Sequence, residues 1–145
     1  MTQNGSVNGT NALKESLAAA IDGPRELWKR FINILRGVKD ITPVQASRLI
    51  ENENAFILDV REQHEYDAGH VPNSLLIPLG QLETRISEIE EQRHSPIVVI
   101  CHGGKRSATA CALLAKKGFP HSFNIAGGIL AWRRAKLRTT NGNSH

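Results

Sequence analysis

The sequence predicts a three-layer α/β domain built on a mostly parallel sheet, preceded by a helical extension. Three observations predict it. Short apolar runs rich in β-branched residues recur between residues 41 and 137, and they are nearly continuous rather than alternating. Such runs suit strands buried on both faces, as in parallel sheets. Segments with apolar residues at helical spacing lie between them. Strand and helix signals therefore alternate, which places helices on the two faces of a sheet.

Residues 1–10 and 138–145 are rich in Asn, Ser, Thr and Gly and are expected to be disordered tails. Residues 11–40 are expected to be an amphipathic helical extension. Leu13, Leu17, Ala20 and Ile21 follow helical spacing until Asp22-Gly23-Pro24 interrupts it. Pro24 suits the first position of a second helix. There Leu27, Trp28, Phe31, Leu35 and Val38 share one face, and Arg25, Lys29, Asn33 and Arg36 the other. Gly37 can end it. The expected role is packing on the domain or on a second copy of the chain. The alternative is a basic helix lying on a membrane surface.

The α/β domain is expected over residues 41–137. Val44, Leu49 and Ile50 mark its first helix. Ala55-Phe56-Ile57-Leu58-Asp59-Val60 reads as a strand, and Ser74-Leu75-Leu76-Ile77-Pro78 as another. Leu82, Ile86 and Ile89 mark a helix between the second strand and the most hydrophobic one, Pro96-Ile97-Val98-Val99-Ile100-Cys101. Ala108, Cys111 and Leu114 mark the next helix. Its end combines Lys116 and Lys117 with Gly118 and a following Pro120, a strong stop signal. Ser122-Phe123-Asn124-Ile125 is a weaker last strand.

Composition narrows the class. The 145 residues suit one domain with a small appendage, and 40% hydrophobic with 22% charged residues is ordinary for a globular protein. Two cysteines exclude a disulfide scaffold or a four-cysteine zinc site. A reducing, cytoplasmic setting is expected, because the N-terminus lacks a signal-peptide pattern and no run approaches the roughly 18 apolar residues of a membrane span. The formal charge of +4 favours anionic partners. The aromatics are not interleaved with the basic clusters as stacking platforms, so no nucleic-acid partner is expected.

Ligands of open α/β sheets bind where strands end and helices begin. The candidate loop is Cys101-His102-Gly103-Gly104-Lys105-Arg106. Gly103 and Gly104 let the chain curl with its N–H groups inward. The helix that Arg106-Ser107 opens adds its positive end, and Lys105 and Arg106 add cations. All of this stabilises negative charge on Cys101, the setting of a nucleophilic thiolate. The plainer alternative is a buried cysteine before an ordinary strand-to-helix turn. His102 has no evident orienting carboxylate. It forms too small a set with Cys101 to hold a metal, and His64 and His70 add no ligand spacing, so no metal is expected. Cys111 is expected in the core rather than as a resolving thiol.

Four motifs make the chain resemble a single-domain rhodanese, a thiosulfate sulfurtransferase. They are Leu58-Asp59-Val60-Arg61-Glu62, the stretch from Tyr66 to Ser74, the loop from Cys101 to Arg106, and the stretch from Asn124 to Trp132. In the second, Asn73-Ser74 stands where glycine-alanine is commoner in that family. The resemblance implies a rhodanese-like domain that needs no cofactor. Cys101 would be the nucleophile that carries a persulfide. His102, Gly103, Gly104, Lys105 and Arg106 would hold a small anionic sulfur donor such as thiosulfate, and cyanide or a thiol would accept the sulfur. Asp59, Arg61, Gly69 and His70 would support the fold near the loop. Related phosphatases and arsenate reductases use a Cys-x5-Arg loop, whereas Cys101 and Arg106 make Cys-x4-Arg, a cradle for a single sulfur. A pathway-specific sulfur carrier, or a docking module acting through residues 11–40, is the remaining alternative.

Overall fold

The computed structural model describes residues 37–142 together with Leu27. Its strands are Asp40–Ile41 (β1), Phe56–Asp59 (β2), Leu75–Leu76 (β3), Ile97–Ile100 (β4) and Ser122–Ile125 (β5). Its α-helices are Pro43–Glu53 (α1), Gln63–Asp67 (α2), Leu82–Arg85 (α3), Lys105–Lys116 (α4) and Gly128–Arg134 (α5). The strands form one sheet in the order β1-β5-β4-β2-β3, with every pair parallel.

The central strand explains the layering. All of β4 is buried. Ile97 and Val99 join one core cluster, and Val98 and Ile100 the other. Successive side chains of a strand point to opposite faces, so both faces of β4 meet an apolar layer. Leu58 and Ile57 of β2 divide the same way. On one face lie Ala108, Ala110, Cys111 and Leu114 of α4, with Leu82 and Ile89. On the other lie Ala46 of α1 and Ile129 and Trp132 of α5. The expected three-layer α/β architecture is therefore present.

Local chemistry sets the helix ends. Thr42 caps α1 reciprocally: Gln45 N–H donates to Thr42 Oγ1 at 3.1 Å, and Thr42 N–H to Gln45 Oε1 at 2.9 Å. At the end of α4, Gly118 takes a φ of 89°. Phe119 N–H then reaches back to Leu114 O at 2.9 Å, and Gly118 N–H to Ala115 O at 3.2 Å. This pair of bonds, with Phe119 and Leu114 both in the core, is a Schellman end.

Four sequence expectations change. The segment from Leu82 to Ile89 is not one helix: α3 is a single turn between 3-10 segments Leu79–Gln81 and Ile86–Gln92. Leu82 and Ile89 both enter the core, and the chain kinks at Ile89. Val44 points outward, and Ala46 takes the buried place on α1. The tail expected from Arg138 onward is held as far as Gly142. Trp132 Nε1 donates to Arg138 O at 2.9 Å, Thr140 pairs antiparallel with His70, and Gly142 N–H donates to Asp67 O at 3.0 Å. The last residue assigned to the extension, Asp40, opens β1 instead, where its register partner is Asn124. The rest of the expected helical extension, apart from Leu27 and residues 37–39, lies outside the described residues.

Phe119 closes α4 and is 1% exposed. Phe119→Ala should lower the unfolding free energy by about 3–5 kcal/mol. Urea denaturation measures this, and a loss below about 1 kcal/mol would show that the helix end contributes little to the core.

Candidate active site

Cys101 stands directly after β4, at the carboxyl end of the most buried strand, and is itself only 1% exposed. The chain then turns through Gly104, whose φ of 98° is one that glycine adopts without strain, and enters α4. Gly104 N–H donates to Cys101 Sγ at 3.1 Å. The first N–H groups of an α-helix have no partner within their own helix, so those of Lys105, Arg106 and Ser107 at the start of α4 are not used by its ladder. His102, Gly103 and Lys105 are exposed, while Gly104 and Arg106 are half-buried.

The back of the loop rests on α5. Ile129 N–H donates to Cys101 O at 2.8 Å, and Leu130 N–H to His102 O at 3.3 Å. Gly128 makes this approach geometrically feasible, because a Cβ there would overlap both carbonyl oxygens. The closing motif thus holds the cysteine loop through backbone rather than side chains.

The front of the loop is tied to α2. Arg106 Nη1 and Nη2 donate to the two carboxylate oxygens of Glu65 at 2.7 and 2.8 Å. The hydrogen bond from Arg106 is the main reason that the Glu65 carboxyl falls from its ordinary 4.5 to about 2; burial opposes the shift, and the Glu62 N–H and the Arg106 and Arg61 charges assist it. The guanidinium of Arg106, which the sequence reading assigns with Lys105 to the anionic donor, is thus engaged by Glu65. A bidentate carboxylate fork satisfies its donors and offsets part of its charge. Lys105 is exposed and has no ion-pair partner among the described residues.

Asp59 and Arg61 stand one step behind Glu65. Asp59 is fully buried and Arg61 3% exposed. Arg61 donates to Asp59 Oδ2 from Nη2 at 2.8 Å and to Asp59 Oδ1 from Nε at 3.0 Å. It also reaches Gly69 O at 2.7 Å and Glu65 O at 3.2 Å, which fixes α2 and the turn after it. His70 belongs to that turn and is fully buried. Its Nδ1 lies 2.7 Å from Tyr66 O, and its ring stacks on Tyr66 at 3.6 Å. Neither Cys101 nor Cys111 is in a disulfide, and Cys111 is 2% exposed within the core. Among the described residues no cluster of His, Cys, Asp or Glu is placed to hold a metal, and no helix is long and apolar enough to cross a membrane.

Several contributors were not singled out from the sequence. Glu65 lies between two signatures and carries no spacing signal. Ser107 stands 3.2 Å from Cys101 Sγ and donates to Asn124 Oδ1 at 2.5 Å. Asn124 could have been suspected, since a polar side chain within a buried strand needs partners.

The family described as the rhodanese-like domain matches residues 42–135. The chain belongs to that family. A thiosulfate sulfurtransferase of Pseudoalteromonas translucida is 30% identical over 97 residues, which covers 67% of this chain and 90% of that protein. A Bacillus subtilis protein whose name proposes it as a sulfur carrier is 41% identical over 81 residues, which covers 56% of this chain but only 43% of that protein. The crystal structure of a rhodanese-related protein from Thermoplasma volcanium superposes with a TM-score of 0.61 at 32% identity, covering 70% of this chain and 97% of that one. The family match thus covers α1 through α5 and begins just after β1.

The Glu65 shift gives a pH signature. A carboxyl whose pKa is lowered in the folded state adds stability above its unfolded value, and that contribution disappears as pH falls. Wild type should therefore exceed Glu65→Gln in unfolding free energy above about pH 4.5, with the gap narrowing steadily toward pH 2. Urea denaturation across that range checks it. A gap independent of pH would show that the Glu65 charge is not what binds Arg106.

Proposed function

We propose that this rhodanese-like domain is a sulfurtransferase in which Cys101 carries a persulfide. The observation that carries the reading is the position of Cys101 Sγ, at the end of β4, under the Gly104 N–H and at the foot of α4. The Cys101 thiolate attacks the outer, sulfane sulfur of thiosulfate. An S–S bond forms at Sγ, the sulfur–sulfur bond of thiosulfate breaks, and sulfite leaves with the electron pair. Cyanide or a thiolate then attacks the outer sulfur of the persulfide and releases the Cys101 thiolate. The N–H groups at the turn suit the negative outer sulfur, because a helix start and oriented amides stabilise an anion without themselves reacting. Lys105, exposed in the same loop, is the cation that would draw in a dianionic donor. Cys101 and Cys111, neither of them in a disulfide, suit a reducing compartment such as the cytoplasm.

A second reading has its own support. With Arg106 paired to Glu65, Lys105 is the loop cation that has no ion-pair partner among the described residues. That suits a carrier loaded by another protein's persulfide, with little turnover on free thiosulfate. The resemblance to a protein proposed as a sulfur carrier points the same way.

Intact-mass measurement after incubation with thiosulfate separates the outcomes. Wild type should gain one sulfur, cyanide should remove it, and Cys101→Ser should gain none. If the serine variant kept thiosulfate:cyanide activity near the wild-type level, Cys101 would not be the carrier. Loading followed by negligible steady-state turnover would favour the carrier reading.

Lys105→Ala should lower kcat/KM for thiosulfate by about 5- to 50-fold, and the deficit should shrink as salt is raised. Activity toward 3-mercaptopyruvate, with its single negative charge, should fall less. An equal loss for both donors at every ionic strength would remove Lys105 from donor selection.

A further inference from the structure

A buried chain of polar side chains leads from the reactive sulfur to the sheet edge, and its hydrogen bonds have a direction. Ser107 is fully buried, and Asn124 is 2% exposed. Asn124 Nδ2 donates to Gly104 O at 3.3 Å and to Asp40 Oδ1 at 2.9 Å. A backbone carbonyl can only accept, so the amide nitrogen must face that side. The amide oxygen then faces Ser107 Oγ at 2.5 Å. An amide oxygen also can only accept, so the single hydroxyl proton of Ser107 points at Asn124. The Ser107 oxygen therefore presents a lone pair to Cys101 Sγ, 3.2 Å away.

A lone pair is a good partner for S–H and a poor one for a thiolate. We infer that Ser107, oriented by Asn124 and Asp40, is a contact that retains the proton on resting Cys101. Ionisation of the sulfur asks the hydroxyl to turn away from Asn124 and donate to Sγ instead. The turn leaves the buried Asn124 oxygen without its donor, and an unpaired buried acceptor is costly. Ser107 touches the reacting atom; Asn124 and Asp40 are positioning residues that act through it.

The other groups around the sulfur pull in the opposite direction. Gly104 N–H donates to it at 3.1 Å, and the Arg106 guanidinium interacts favourably with its charge. Lys105 and His102 stand in the same loop, Glu65 of α2 acts through Arg106, and Asp59 at the end of β2 is held by Arg61. From α5 the contact is the Ile129 N–H, which binds Cys101 O. The thiol is thus held between donors that favour the anion and one oriented oxygen that favours the proton.

The inference rests on Cys101 as the nucleophile of the proposed reaction, and its test reads the thiol directly. Alkylation of the full chain by iodoacetamide is followed against pH, and the label is located at the Cys101 peptide so that Cys111 does not contribute. Ser107→Ala removes the facing lone pair. Its profile should move to lower pH by about half to one unit, giving about 3- to 10-fold faster alkylation well below the wild-type midpoint. Ser107→Thr keeps the hydroxyl and should restore the wild-type profile. Asn124→Ala frees the Ser107 proton to turn toward sulfur and should also move the profile down. An unchanged or upward profile in Ser107→Ala would overturn the inference, because the hydroxyl would then be idle or a donor to the thiolate. An upward move in Asn124→Ala would overturn it independently. If these shifts occur but thiosulfate never loads Cys101, the sulfur-transfer reading fails and the oriented hydroxyl stands.

Discussion

The approach of Gly128 to the carbonyls of Cys101 and His102 is the contact on which the site depends. Two backbone segments distant in sequence meet there without side chains between them. The Cys101 carbonyl is held from behind by Ile129 N–H, so the sulfur has one fixed origin and the turn through Gly104 must start from it. A side chain on Gly128 would push apart the loop and α5, and the hydrogen bonds from Ile129 and Leu130 would be lost together. Glycine also suits the φ of 59° that the chain takes at this point.

Charge completes what backbone contact begins. The buried Asp59–Arg61 pair spends its remaining donors on backbone carbonyls of α2 and the following turn, so its work is to position a segment rather than to add net stability. That segment presents Glu65, and Glu65 holds Arg106. A signature at the end of β2, Asp59 with Arg61, is in this way linked to the cysteine loop at the end of β4 through α2 and the Glu65–Arg106 pair. Removal of one partner of the buried pair would strand the other away from water, which is the costly way to break it.

The readability of the sequence followed physical scale. β4 and α4 were legible because their signals are dense: a run apolar at every position, and a helix stop made of two lysines and a glycine. Cys101 was legible because its neighbours are chemically unusual together. Glu65 was not, since its partner lies 41 positions away and no local pattern marks it. β1 was missed because two residues carry no periodicity; its place comes from pairing with β5. The segment after Leu82 kept its two core residues but not its helix, because tertiary contacts at Leu82 and Ile89 overrode a weak local preference. Arg138 to Gly142 read as tail from composition, yet backbone bonds at Thr140 and Gly142 hold them, and such bonds are indifferent to side-chain identity.

The sheet has short outer strands: β1 and β3 are each two residues long among the described residues. An exposed strand edge is a template for pairing with other chains, and its capacity grows with its length. Here the most apolar strand, β4, occupies the middle with β2 on one side and β5 on the other. The margins present too few consecutive N–H and C=O groups to recruit an incoming strand. The most hydrophobic run, which would be an aggregation hazard at a margin, is therefore kept away from the edges of the sheet.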